Sequence, residues 1–261
     1  MMGHLITLSM DRLTYIGHAT TMLRLNHASI LTDPVLRRWL GPLRRQGHRP
    51  EPDLPTIVDA VLISHPHRDH LDLPSLRRLP TGTPLVVPRG AARWIAKSLV
   101  NQVREIGRGE TISVGGVEVT AVPAVHDGRR DRWGRRRLEP LGYLIAAGGR
   151  TVYFAGDTDL FPQMSDFGPL DLALLPVWGW GASVGPGHLD PERAARALTL
   201  LRPRLAVPIH WGTFYPAGLR RLRPGPLARP PLEFARLARE LAPEVEVRVL
   251  QQGSEISLER R

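Results

Sequence analysis

The sequence of 261 residues contains no cysteine. No disulfide can therefore stabilise the fold, and no thiolate can act as a nucleophile or a metal ligand. A metal ion bound by this chain must be held by histidine, aspartate or glutamate.

Long apolar runs are also missing. No stretch of about 18 apolar residues occurs, so a membrane-spanning helix is not expected. The beginning of the chain lacks the basic, apolar and small-residue regions of a secretory signal, and we expect a cytoplasmic protein. The sequence is 42% hydrophobic and shows no linker or low-complexity tract, so residues 1–261 are expected to form a single domain. The oligomeric state is left open.

Lysine is nearly absent, since Lys97 is the only lysine among 35 basic residues. The formal net charge of +10 favours an anionic partner such as a phosphorylated substrate, an anionic membrane or a nucleic acid. The excess of arginine over lysine is also what a coding bias produces, and we interpret most of the charge in that way. No specific nucleic-acid ligand is predicted.

Short apolar runs alternate with helical patterns along the whole chain. Two or three strands are predicted over 13–34, with a turn near Asn26 and His27. The clearest helix is predicted after Asp190, which is suited to be its N-cap, with Pro191 at the first helical position. The stretch 216–231 is interpreted as a long surface loop. The alternation of strands and helices predicts a layered α/β fold.

Potential metal ligands follow four of the predicted strands. They are His65, His67, Asp69 and His70 after "AVLIS", His126 after "VTAVPAV", Asp157 after "TVYFAG" and His210 after "LAVPI". Strand ends meet along one edge of an α/β sheet, which is where ligands and catalytic groups collect. A single histidine after a strand is usually a hydrogen-bonded core residue, so the prediction rests on the joint placement.

The spacing of these residues suggests two ion sites. His65 and His67 are two positions apart and point the same way in an extended backbone, and His126 would complete that first site. Asp69, His70 and His210 would form a second site. Asp157 could bridge both ions, because a carboxylate has two oxygen atoms. Imidazole and carboxylate ligands suit two divalent ions, with zinc preferred and manganese, iron or nickel as alternatives.

The motif "HPHRDH" resembles the H-x-H-x-D-H signature of the metallo-β-lactamase superfamily, and the later histidines and aspartate follow in the order that the superfamily shows. The blocks "GHATTML", "ILTDPV", "FAGDTD", "GHLDPERAARAL" and "PIHWGTF" are similar to the branch that contains N-acyl-phosphatidylethanolamine phospholipase D and the ascorbate-6-phosphate lactonases. The resemblance covers about residues 12–215. It implies a four-layer αββα sandwich with a dinuclear metal site at one edge of the sheets.

The resemblance also implies roles for residues around the ions. His188 corresponds to a histidine near the reaction centre of similar phospholipases, which suggests substrate binding or proton donation, with packing at the start of the following helix as the alternative. His18 and Asp33 are expected to hydrogen-bond to metal ligands, with turn stabilisation as the alternative. Asp69 would orient the attacking hydroxide as well as bind metal.

Substrate-binding residues are harder to identify from sequence. The arginine-rich segment 129–137, which surrounds Trp133 and includes Arg135 and Arg136, follows His126 and could attract a phosphate or an anionic lipid surface. Trp178, Trp180 and Tyr215 could line the pocket. The alternatives are a solvated loop for the arginines and ordinary packing for the aromatic residues.

Together these observations predict a metal-dependent hydrolase that uses a hydroxide bridging two metal ions. A phosphodiester of the phospholipase D type is the favoured substrate, and a lactone or another carbonyl ester or amide is the alternative. A non-catalytic protein that binds anionic membranes or nucleic acid is the alternative of another class. Contact with a membrane surface is compatible with the hypothesis of a phospholipase D-like hydrolase.

Overall fold

The computed structural model describes residues 11–47, 58–95, 102–130, 135–179, 185–222 and 225–259. The strands of the first part of the chain are β1 (Arg12–Gly17), β2 (Thr20–Leu25), β3 (Ala28–Thr32), β4 (Trp39–Leu40), β5 (Leu43–Arg45), β6 (Ala60–Leu62), β7 (Leu85–Pro88) and β8 (Val103–Ile106). Those of the second part are β9 (Thr111–Val114), β10 (Val117–Pro123), β11 (Leu141–Ala147), β12 (Arg150–Phe154), β13 (Leu172–Pro176), β14 (Leu205–Ile209), β15 (Phe214–Pro216), β16 (Glu246–Val247) and β17 (Glu255–Ser257).

Five α-helices and two short 3-10 helices accompany these strands within the described ranges. The α-helices are α1 (Leu73–Leu76), α2 (Ala92–Ile95), α3 (Pro191–Leu201), α4 (Leu219–Leu222) and α5 (Arg229–Leu241), and the 3-10 helices are Pro162–Asp166 and Gly225–Leu227. The side chain of Asp190 accepts a hydrogen bond from the backbone N–H of Arg193, and Pro191 occupies the first turn of α3, so the predicted start of this helix is confirmed. The interpretation of 216–231 as a loop was wrong, because this stretch holds α4, a 3-10 turn and the start of α5.

Two seven-stranded sheets form the centre of the fold. Their orders are β17-β1-β2-β3-β6-β7-β8 and β16-β14-β13-β12-β11-β10-β9. Each sheet has antiparallel pairing on one side and parallel pairing on the other. Antiparallel pairs run from β17 to β3 and from β9 to β12, and parallel pairs run from β3 to β8 and from β12 to β16. The two sheets therefore share one pairing pattern.

Alternating side chains of the first sheet pack on different layers. Leu62 joins the large core cluster between the two sheets, whereas its neighbours Val61 and Ile63 join a second cluster with residues of α1 and α2. The large cluster continues through the second sheet to Leu198 of α3 and Phe234 of α5. Because successive side chains of a strand point to opposite faces, these clusters define four layers, with helices outside both sheets. The predicted αββα sandwich is confirmed.

A small third sheet joins β15, β5 and β4, and it was not predicted. Its residue Phe214 presents an edge to the ring of His18, with 5.7 Å between the ring centroids. The guanidinium of Arg45 lies over the ring of Phe214, 4.8 Å from its centroid. This sheet therefore closes one side of the region where the strand ends converge.

Candidate metal centre and its surroundings

The predicted ligands converge at one edge of the two sheets. His65, His67, Asp69 and His70 lie in the loop between β6 and α1, and the second sheet brings His126 after β10, Asp157 after β12 and His210 after β14. Several of these side chains are fully or almost fully buried, including His65, His70, Asp157 and His210. Polar groups are rarely buried without partners, so the contacts among them decide what this cluster can do.

Three histidines form the first cluster. His65 Nε2 lies 2.9 Å from His67 Nδ1, and His126 Nε2 lies 3.1 Å from the same atom. The three ligand atoms all lie within 4.8 Å of one another, which is compatible with one shared ion. The structure thus brings together the residues predicted for the first site.

The second cluster contains one more residue than the sequence indicated. Asp69 Oδ2 lies 3.4 Å from His70 Nε2 and 3.5 Å from His210 Nε2, and these two nitrogens are 3.2 Å apart. His18 Nε2 lies 3.1 Å from the same carboxylate oxygen of Asp69. His18 was expected to hydrogen-bond to a metal ligand and its position fits that role, but its nitrogen also falls within 4.8 Å of the other three donor atoms.

Asp157 lies between the two clusters. Its Oδ2 is 3.3 Å from His70 Nε2 and 4.0 Å from both His65 Nε2 and His126 Nε2. Its Oδ1 is 3.3 Å from His210 Nε2. One carboxylate therefore reaches ligands of both clusters, which is the position expected of a bridging group.

Backbone carbonyls define the proton positions of two histidines. His126 Nδ1 donates to the carbonyl of Gly187 at 2.6 Å, and His210 Nδ1 donates to the carbonyl of Trp178 at 2.6 Å. A carbonyl can only accept, so each Nδ1 carries a proton and each Nε2 faces the centre, where it can bind a metal ion in the neutral form of the ring.

A carboxylate and a serine do the same for two further rings. Asp33 Oδ2 accepts from His70 Nδ1 at 2.6 Å and from the hydroxyl of Ser64 at 2.5 Å. Because the hydroxyl proton is used on Asp33, the Ser64 oxygen accepts from His65 Nδ1 at 2.9 Å. His65 and His70 therefore also turn Nε2 toward the centre, and Asp33 contacts a predicted metal ligand, as expected.

This arrangement fits divalent metal ions. The Nε2 atoms of His70 and His210 lie 3.2 Å apart. Burial alone would lower the pKa of both histidines, but the neighbouring carboxylates of Asp157 and Asp69 raise it. Without a metal ion these rings therefore take up a proton, which a bound cation would displace.

Burial and neighbouring histidines lower the pKa of His65, and burial lowers the pKa of His126 to about 4. Burial alone would raise the pKa of Asp157, but the charges of His210 and His70 lower it. Neutral imidazoles and ionised carboxylates are the forms that bind zinc, manganese or iron.

Two supporting residues carried no recognised signal in the sequence. Ser64 is buried between Asp33 and His65. Gly156 has a φ of +59°, and a Cβ at this position would lie 2.4 Å from the Cβ of Ser64. The glycine before Asp157 is thus required both by its backbone conformation and by the close approach of the two sheets. The quoted block "FAGDTD" contained this glycine, but only the fold reveals what it touches.

His188 lies beside the first cluster and is partly open to solvent. Its Nε2 is 3.9 Å from Asp157 Oδ2, with 30% of the side chain exposed. Its ring stands edge-on to that of His126, with centroids 4.6 Å apart. An imidazole in this position faces both the solvent and the centre.

The predicted substrate residues are placed less uniformly. Trp178 and Tyr215 are 6% and 5% exposed and belong to the core cluster, which favours packing. Arg135 and Arg136 are exposed. Trp133 and Trp180 lie outside the described residues.

Arg130 has a structural role that its place in the arginine-rich segment did not suggest. Its Nη1 donates to the carbonyls of Pro66 and Leu71 at 2.7 and 2.8 Å, and its guanidinium lies 5.7 Å from the ring centroid of Trp94. The two carbonyls flank the loop that carries His67, Asp69 and His70. Arg130 therefore fixes the ligand loop to the segment that follows His126.

Comparisons with known proteins agree with this fold and site. A family described as "Beta-lactamase superfamily domain" matches residues 28–211. The UPF0173 metal-dependent hydrolase MK1542 of Methanopyrus kandleri is 34% identical over 93% of this chain and 97% of its own length. The structure of Igni18, a metallo hydrolase from Ignicoccus hospitalis, has a TM-score of 0.71 and 26% identity, and the match covers 96% of this chain and 99% of that one.

A eukaryotic phospholipase is also similar. N-acyl-phosphatidylethanolamine-hydrolyzing phospholipase D 1 of Caenorhabditis elegans is 31% identical over 78% of this chain, and the match spans 64% of that protein.

Fold, ligand cluster and relatives define an enzyme class, the metal-dependent hydrolases of the metallo-β-lactamase fold. The chain belongs to the β-lactamase superfamily, together with the UPF0173 metal-dependent hydrolases. None of the helices that the structure describes has the length and hydrophobicity of a membrane span.

Proposed function

We propose that this hydrolase binds two divalent metal ions, zinc in the first instance, and cleaves phosphodiesters of the phospholipase D type. The observation that carries the proposal is the position of Asp157 between two groups of histidines. His65, His67 and His126 would hold one ion, and Asp69, His70 and His210 the other, with Asp157 shared. Ions bound there would activate water and stabilise negative charge on the substrate.

The residues around the ions have separable roles in this proposal. Asp69 Oδ2 lies within reach of His18, His70 and His210, and its carboxylate would accept a hydrogen bond from the attacking water and orient it. His188, with solvent on one side and Asp157 on the other, would give a proton to the leaving oxygen atom. His18 would hold Asp69 in place through the contact between its Nε2 and the carboxylate.

The substrate class rests on similarity and charge. The C. elegans phospholipase D is 31% identical over most of this chain, and the net charge of +10 favours an anionic substrate. Exposed Arg135 and Arg136 would attract such a substrate or an anionic lipid surface. A cytoplasmic location and contact with a membrane surface stay predictions.

The test is hydrolysis of bis(p-nitrophenyl) phosphate by purified protein whose metal content has been measured. Treatment with a chelator should abolish turnover, and added zinc should restore it. Asp69→Ala should lower kcat by about 100-fold or more, whereas Asp166→Ala, which removes a carboxylate next to Ser165 on an exposed 3-10 turn, should leave it unchanged.

Metal-loaded protein that does not cleave this diester would contradict the phosphodiesterase proposal. Hydrolysis of a lactone by the same preparation would then assign carbonyl chemistry to the site. Binding of anionic vesicles or nucleic acid that survives metal removal and weakens steeply with salt, without any hydrolysis, would instead support a binding protein.

A further inference from the structure

A hydrogen-bonded chain leads from helix α3 to the first metal cluster through Gly187. The carbonyl of Gly187 accepts the proton of His126 Nδ1 at 2.6 Å, and its N–H donates to Asp159 Oδ2 at 2.9 Å. Gly187 has a φ of +80°, and a Cβ there would lie 3.5 Å from both Cα and Nδ1 of His126. The position of this one residue therefore fixes the proton, and the orientation, of the His126 ring.

Asp159 is itself fixed from two sides. Its N–H donates to the carbonyl of Val125, the residue before His126, at 2.9 Å. Its two carboxylate oxygens accept from Arg193 Nη1 at 2.8 and 3.0 Å. Burial raises the pKa of Asp159, but hydrogen bonds from the N–H groups of Gly187 and Leu160 lower it below its usual value. The carboxylate is thus a charged acceptor, which makes its bond to Gly187 a strong one.

Arg193 is in turn anchored on α3 and on the same loop. Its Nε donates to Asp190 Oδ2 at 3.1 Å, and its Nη2 donates to the carbonyl of Gly185 at 3.4 Å. The guanidinium therefore contacts the helix start, Asp159 and the segment 185–187 at the same time. The planar guanidinium of arginine can make these contacts together, whereas the single ammonium group of a lysine cannot.

We propose that the Asp159–Arg193 pair is a positioning device for the first metal site. It holds the Gly187 carbonyl against His126 Nδ1 and, one residue further on, sets His188 edge-on to the His126 ring. The inference rests on the proposed metal site and adds to it two residues that lie outside the ligand set.

A merely structural role of Arg193 in helix α3 can be separated from the proposed one by a control on the same helix. Asp190 caps α3 through its own bond to the backbone N–H of Arg193, so the cap survives when the arginine side chain is removed. One turn along the same helix, Arg196 pairs with Glu192 on the surface at 2.7 Å and has no described bond to the Gly187 segment. Arg196→Leu is therefore a matched control for Arg193→Leu, since both remove one guanidinium from α3.

The experiment measures the release of zinc from the purified holoprotein into a chromophoric chelator at a series of chelator concentrations. The release curve should show two steps, one for each zinc ion. We expect Asp159→Ala and Arg193→Leu to lower the zinc affinity of one of these steps by about 10- to 100-fold. The affected step should be the one whose zinc affinity His126→Ala also lowers, and the other step should keep its wild-type midpoint. Arg193→Lys, which keeps a cation next to Asp159, should recover part of the loss, and Arg196→Leu should behave as the wild type.

A double variant makes the assignment specific. If the pair acts through His126, Asp159→Ala should add little to the effect of His126→Ala on that step, because both changes remove the same interaction. Fully additive effects, equal weakening of both steps, or an unchanged release curve in folded Asp159→Ala protein would each overturn the proposal. Folding is verified by urea unfolding of every variant. Release of zinc does not depend on the substrate, so failure of the phosphodiesterase assay would leave this result intact, and a wild type that binds no zinc would instead contradict the metal site itself.

Discussion

Replacing Asp33 with asparagine should disable the metal centre while leaving the fold almost unchanged. Asp33 is fully buried, and Oδ2 accepts protons from both the Ser64 hydroxyl and His70 Nδ1. An asparagine keeps one oxygen for the backbone N–H of Ser64, which lies 2.7 Å from Oδ1. It places an NH₂ group where Oδ2 was. Because two donors cannot share a hydrogen bond, His70 must become an acceptor at Nδ1 and carry its proton on Nε2.

The size of the effect follows from this proton shift. A protonated Nε2 cannot bind a metal ion, so the second site loses His70 as a ligand or has to restore the original tautomer against an opposing donor. Changes to such supporting groups reduce metal affinity by about 10- to 100-fold, which corresponds to about 1.4–2.7 kcal/mol. Loss of the charged acceptor should lower the free energy of unfolding of the metal-free protein by about 1.5–3 kcal/mol.

The assay is the number of zinc ions per chain after dialysis against a weak chelator, together with urea unfolding of the metal-free protein. Asp59→Asn is the matched control, because Asp59 also accepts a backbone N–H, that of Ser29 at 2.8 Å, but at the other end of β6. A folded Asp33→Asn protein that retains two zinc ions with wild-type affinity would refute the tautomer argument.

Two further substitutions test the geometry around the centre. Gly156→Ala should lower the free energy of unfolding by about 2–5 kcal/mol, because it adds left-handed backbone strain and an overpacked contact with Ser64. Urea unfolding measures this loss. A loss below about 1 kcal/mol, the cost of an ordinary substitution, would contradict the prediction. Arg130→Ala should reduce zinc retention, because it frees the carbonyls that flank the ligand loop, whereas exposed Arg135→Ala should leave zinc retention unchanged; equal zinc contents in the two variants would show that the Arg130 contacts do not hold the loop.

The sequence was informative where chemistry follows directly from a strand. "VDAVLIS" and "LAVPIH" are apolar runs followed at once by histidines, and these are the runs that form β6 and β14 with His65 and His210 at their ends. Helix α3 was equally clear, because Asp190 and Pro191 satisfy and preset its first turn. Both features depend on residues that are close in sequence, so they could be predicted without knowing the fold.

Contacts between distant segments could not be predicted in this way. The bond from Gly187 to His126 joins residues 61 positions apart, and that from Arg130 to Pro66 joins residues 64 positions apart. Nothing in the run of arginines distinguishes Arg130, which clamps the ligand loop, from Arg136, which is exposed. The small sheet of β4, β5 and β15 was missed for a related reason, since strands of two or three residues leave no period to recognise.

The origin of the proposed ligands in two different sheets has a consequence for stability. The first sheet and its following loop supply His65, His67, Asp69 and His70, and the second sheet supplies His126, Asp157 and His210, so each proposed ion draws ligands from both. Ions held there would act as cross-links that close long loops in the unfolded chain, between residues 65 and 126 and between residues 70 and 210. Closure of such loops removes conformational entropy from the unfolded state, as a disulfide does. In a chain without cysteine, the metal ions proposed for hydrolysis would then also cross-link the two halves of the fold.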